Sequence, residues 1–202
     1  MATYSKTTIC NIALANLRQG ERLSNFDSDT SGFGIDCRLF YPLMLQELLE
    51  EFEWPLQERY IDLQLIILNP NIQWKHEYLF PVDCAAAIEI VNKTRVLYPH
   101  NKPPYLVAHN DTGQKVIWTD KVDAVLKYTA IYENENQYSA VFIDALAWKI
   151  AWRLVPTLTK SQITVRDAKS KYEEAFNLAK AQALNKESQE QDPENELAAS
   201  RH

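Results

Sequence analysis

SAVFIDALAWKIAWRLVP, residues 139–156, is the stretch that decides the fold. Val141, Phe142, Ala145, Leu146, Trp148, Ile150, Ala151, Trp152 and Leu154 recur with helical period, and Pro156 ends the run. Its apolar circumference predicts a helix buried on more than one side. Trp148 and Trp152 stand one turn apart on a shared face, a candidate contact for a neighbouring subunit as much as for packing within the chain.

The residues before this helix have a different texture. From Leu56 to Tyr132 short β-branched and aromatic runs alternate with Pro, Asn and Gly: YIDLQLIIL, HEYLF, AIEIV, YLVA, KVIW and AVLKYTAI. These predict strands. HNDTGQ, between YLVA and KVIW, reads as a hairpin turn with Gly113 at the position that needs positive φ. PHNKPP reads as a rigid loop.

The outer parts of the chain are helical in pattern. Ile9, Ile12, Ala13 and Leu17 define a first helix over Thr7–Leu17, with Ser5, Thr7 or Thr8 as its cap and Gly20 just past its end. SNFDSDTSGFG predicts a loop. A second helix runs from about Ile35 to Phe52 through Leu39, Leu43, Leu45, Leu48 and Leu49; Pro42 either kinks it or opens its longer part, and Trp54-Pro55 stops it. A last amphipathic helix spans about Ser161 to Ala183.

The expected fold is therefore α+β: a bundle of about four helices built from residues 1–55 and 133–184, a β-rich insertion at 56–132, and a flexible C-terminal tail at 185–202. NKESQEQDPENELAASRH is too polar to offset the entropy of its own ordering and needs a partner to hold it. Glu194, Leu197 and Arg201 are its candidate anchors. No internal repeat is evident.

With 202 residues, nearly half of them apolar, the chain is long enough for one sizeable core or two small ones. No run is long enough to span a bilayer, and MATYSKTTIC lacks the features of a secretory signal, so a cytosolic site of synthesis and no membrane partner are expected. The net charge of -6 opposes the usual grip on nucleic acid. An acidic wall is compatible with DNA that slides past unheld.

Reactive constellations are missing from the sequence. Cys10, Cys37 and Cys84 lie far apart among apolar neighbours, as buried thiols do. They and His76, His100, His109 and His202 offer no metal spacing. Asp27, Asp29, Ser31 and Gly32 imitate half a calcium loop, but Arg38 stands where the bidentate Glu is needed. There is no phosphate loop or nucleophile elbow, so no catalytic residue, metal or cofactor is expected.

The segment WKHEYLFPVDC carries Trp74, Tyr78, Pro81, Asp83 and Cys84 in an order that resembles the tail tubular protein A and head-completion adaptor family of short-tailed bacteriophages. ICNIALANLRQ, the run from Cys37 through Tyr41 to Leu48, Leu49 and Trp54, the group Trp118, Thr119, Asp120 and Tyr128, and ALAWKIAWRLVPTLT are similar to the same family. The likeness extends from about Ile9 to Ala179. Leu45, Gln46, Ala85 and Ala86 depart from it where relatives often carry charged residues, and Pro42 is unexpected.

The resemblance implies a virion protein at the head-tail junction, not an enzyme: a dodecameric ring bound to the portal and offering its far face to the tail nozzle. DNA would pass through the lumen without specific binding, and the C-terminal extension would dock into the portal. The five signature residues carry a structural expectation: Trp74 and Tyr78 bury area, Pro81 fixes a turn, and Asp83 caps backbone amides. Two other classes compete: a virion-associated peptidoglycan hydrolase, for which no acid and base stand out, and a duplex-binding regulator, which the charge disfavours.

Overall fold

The computed structural model describes residues 3–68, 70–91, 102–132, 134–158 and 162–191. The protein is α+β, with four α-helices and two antiparallel sheets among these residues. Its contacts divide it into two units, one of residues 1–48, 54–56 and 133–202, the other of residues 49–53 and 57–132.

In the helical unit, α1 (Lys6–Asn16) starts at Ser5, whose hydroxyl accepts the Thr8 amide at 3.1 Å. Its end departs from expectation. The left-handed residue is Arg18, with φ 56°, and not Gly20. Gln19 N–H donates to the Leu14 carbonyl and Arg18 N–H to that of Ala15, the paired bonds that close a helix through a left-handed residue.

α2 (Gly32–Glu50) begins earlier than its apolar pattern predicts, because Ser31 accepts the Gly34 amide. Pro42 lies inside it and does not open it. Pro42 is exposed, so the Arg38 carbonyl that loses its helical donor faces a wet side of the helix. Cys37, Tyr41, Met44, Leu45, Leu48 and Leu49 are buried. Leu39 and Leu43 on the same helix are exposed.

α3 (Ala140–Leu154) is capped by Ser139, which accepts the Phe142 amide. Its buried residues surround much of the helix, as its composition predicts. α4 (Val165–Gln191) starts four residues after the predicted Ser161 and runs past Ala183, so part of the segment assigned to the tail is helical. The aromatic core of the unit centres on Phe142. Tyr138 stacks on it at 4.8 Å, and the Trp54 indole meets it edge-on at 4.9 Å while donating to the Leu48 carbonyl.

The second unit holds β1 (Glu58–Asp62), β2 (Leu65–Leu68), β3 (His76–Leu79), β4 (Cys84–Val91), β5 (Tyr105–His109), β6 (Lys115–Thr119) and β7 (Val125–Ala130). One sheet has the order β1-β7-β4 and the other β2-β3-β6-β5. The run read as YIDLQLIIL is two strands in two sheets. At the break, Leu63 N–H bonds to the Ala124 carbonyl of the first sheet, while the Gln64 carbonyl takes the Leu79 amide of the second. Such a switch makes the corner of a two-sheet fold. Tyr78 and Ile117 from one sheet and Ile90, Leu126 and Tyr128 from the other share one buried core.

The predicted hairpin turn is present between β5 and β6. Gly113 has φ 79°, and its amide donates to the Asn110 carbonyl. The Asn110 side chain accepts the amides of Thr112 and Gln114, the local bonding that makes Asn a turn residue.

Candidate functional site

The signature segment Trp74–Cys84 runs along β3 and through the turn into β4. Tyr78 is buried, and its hydroxyl donates to the Lys121 carbonyl at 2.8 Å. The Pro81 carbonyl accepts the Cys84 amide at 3.2 Å, closing the turn and turning Val82 fully outward. Burial pushes the Cys84 thiol up to about 12. Trp74 is half-buried, and its indole nitrogen and His76 Nδ1 are buried atoms without a hydrogen-bond partner.

Asp83 has a role that the sequence reading missed. Its carboxylate does not cap amides; it accepts the Tyr128 hydroxyl at 3.1 Å on each oxygen and the Arg59 guanidinium at 2.7 Å. Its own carbonyl takes the Ile131 amide at 2.8 Å. One aspartate thus joins the β3–β4 turn to β1 and β7. Burial and the Asp83 carboxylate push the Tyr128 phenol up to about 12. Nothing in the local sequence pairs Asp83 with residues 24 and 45 positions away.

A second carboxylate organises the other sheet. Glu77 on β3 is buried, accepting the Trp118 indole N–H at 2.8 Å and the Asn110 amide nitrogen at 3.1 Å. It locks the hairpin turn to the neighbouring strand. Both carboxylates are engaged in holding strands together.

In the helical unit, Trp152 is half-buried and stacks on Tyr172 of α4 with ring centroids 6.1 Å apart. Lys169 and Arg153 lie over its ring. Trp148 is half-buried on the same helix. Between them in sequence lies Lys149, which sequence analysis did not single out. It is 1% exposed, with its ammonium 3.5 Å from Glu47 and 3.3 Å from the Tyr172 hydroxyl. Arg153 reaches the same Glu47 carboxylate at 3.4 Å.

The acidic loop before α2 is a turn. Asp29 accepts the amides of Ser24 and Ser31, and these bonds, the Ser31 contact foremost, hold its carboxyl well below the usual range. Among the described residues no three His, Cys, Asp or Glu side chains are grouped to hold a metal ion. Cys10, Cys37 and Cys84 are buried and unbridged. The contact with Cys37, together with burial, raises the Cys10 thiol. No described helix is long and apolar enough to cross a membrane. Glu194, Leu197 and Arg201 lie outside the described residues.

Two exposed surfaces are apolar. The β2 strand LIIL is exposed at every position, and Ile72 in the following loop stands fully in solvent, presented by an Asn71 side chain that accepts the amides of Gln73 and Trp74. From Leu63 to Trp74 the sequence holds no charged residue. On α2, Ile35, Leu39 and Leu43 form an exposed stripe at four-residue spacing, with Pro42 beside it. Monomers seldom expose contiguous apolar patches of this kind. No protein-family model matches the chain, and no curated protein matches it.

Proposed function

We propose that this protein is a structural adaptor of a short-tailed bacteriophage virion and not an enzyme. In this reading copies of the chain form a ring, dodecameric as the resemblance implies, that binds the portal, meets the tail nozzle and continues the DNA channel. The observation that carries the reading is the resemblance centred on Trp74, Tyr78, Pro81, Asp83 and Cys84. Supporting it, the most polar signature residue is engaged with Arg59 and Tyr128 in holding strands together.

The acidic chain suits a channel through which DNA moves without being held. Residues after Asn185, with Glu194, Leu197 and Arg201, would dock into the portal.

Imaging the purified protein mixed with its portal tests the reading. A ring of copies seated on the portal is the expected result; a portal that stays bare at high protein concentration overturns it. Truncation after Asn185 is expected to weaken portal attachment while the rest of the chain stays folded, and unchanged attachment would count against the docking tail.

A further inference from the structure

We infer that the charge-free β2–β3 arm and the α2 stripe are the two halves of one self-contact, the arm of one copy packing on the stripe of the next. The inference deepens the ring reading and rests on it for the number of copies.

Three observations on the arm support it. Among the described residues β2 is an edge strand that pairs with β3 alone. Natural edges of this type are normally blunted with charge, yet Leu65–Leu68 are 38 to 61% exposed and have no charged neighbour between Asp62 and Lys75. Ile72 extends the apolar surface at the hairpin tip.

The pairing with β3 shifts register between Leu65 and Ile67, leaving Ile66 unpaired in the ladder. A bulge of this kind bends a strand and spoils it as a template for adding a further strand. The arm is therefore built to contact a partner through aliphatic side chains and not to extend a sheet. Its partner is expected to present an apolar row.

The chain itself supplies such a partner. Ile35, Leu39 and Leu43 on α2 are 50 to 64% exposed, and Pro42 fills the same face. α4 also exposes Leu178 and Leu184, but these stand among Lys and Glu positions and form no row. A standard interface buries roughly 1,600 Å², a little over half of it apolar. The arm and stripe together offer eight aliphatic side chains, each 38% exposed or more, as the apolar part of such an interface.

Two different patches on one chain define a head-to-tail contact, the type that generates rings where the rotation closes and filaments where it does not. A contact of arm with arm would leave the stripe uncovered.

Mixing two charge variants tests the inference. I67D/L68D disables the arm, and L39D disables the stripe; every substituted side chain is exposed, and circular dichroism checks that both proteins keep the wild-type fold. In sedimentation velocity the wild type is expected to self-associate as concentration rises. Each variant alone should lose that association by roughly 30-fold or more in dissociation constant. An equimolar mixture should form two-chain complexes, since it retains one intact arm and one intact stripe.

A wild type that stays monomeric at hundreds of micromolar overturns the inference, as does self-association that either variant leaves unchanged. Loss in the arm variant alone would establish arm-to-arm pairing instead and likewise overturn it. The portal experiment separates the two readings. Variants that ring the portal as well as wild type would sink the contact and leave the adaptor, whereas a bare portal with intact mixing behaviour would sink the adaptor and leave the contact.

Discussion

Asp83 and Tyr128, 45 residues apart, meet through a hydroxyl that lies 3.1 Å from both oxygens of the carboxylate. Arg59 completes the group at 2.7 Å, but its side chain is half exposed. An exposed ion pair contributes about 0–1 kcal/mol, while a buried hydroxyl bonded to a charged group contributes about 1.5–3. Tyr128→Phe should therefore destabilise the β unit more than Arg59→Ala. Urea unfolding of both variants checks the order.

The same contact sets an alkaline limit. The Tyr128 phenol is raised to about 12, from an ordinary value near 10. Its contribution is therefore complete below about pH 10 and declines as pH rises through 12, because the unfolded chain gives up this proton first. Thermal unfolding followed from pH 9 to 12 should fall less steeply in Tyr128→Phe than in wild type.

At the end of α1, Arg18 takes the left-handed conformation that costs an L-residue about 1–2 kcal/mol. Arg18→Gly removes that cost and keeps the two closing backbone bonds. A gain of about 1 kcal/mol is expected, read as a rise in Tm of roughly 2–4 °C.

Gly34 behaves in the opposite way. A Cβ there would meet the Asp29 carbonyl oxygen at 2.6 Å and its Oδ1 at 2.8 Å. Alanine normally gains about 1 kcal/mol over glycine in a helix, but this clash involves backbone and outweighs the gain. Gly34→Ala should cost about 1–3 kcal/mol overall. Adding Asp29→Ala should not rescue it, since the carbonyl remains; thermal melts of the single and double variants decide.

Lys149 offers a test of buried charge. Replacing it with Met keeps volume and removes the need for Glu47, so the change should be within about 1.5 kcal/mol of neutral. Lys149→Ala leaves a cavity and should cost about 2–5 kcal/mol. Glu47→Ala removes the carboxylate 3.5 Å from a buried ammonium and should cost more than Lys149→Met. Denaturant midpoints of the three variants give the ranking.

The elements were legible where one residue type dictates a local conformation. Ser5, one of three candidate caps, caps its helix, Gly113 takes positive φ, and each predicted strand run falls on a strand, YIDLQLIIL on two. The exposure of Leu39 and Leu43 was not legible, because α2 is apolar on two sides and periodicity alone does not tell a covered face from an open one. The corner at Leu63–Gln64 was equally hidden, since the change of sheet occurs without Gly or Pro. Asp83, Glu77 and Lys149 owe their roles to partners far along the chain. Such pairings are set by packing and leave no local signal.

Inserting the strands between α2 and α3 sets a timetable for synthesis. The ribosome releases α2 about 90 residues ahead of α3, several seconds at ordinary rates of translation. Throughout that interval Trp54 waits for Phe142, and both apolar sides of α2 are bare. The nascent helical half is thus most prone to stick to other chains before its last third exists, while the strand half can finish on its own schedule.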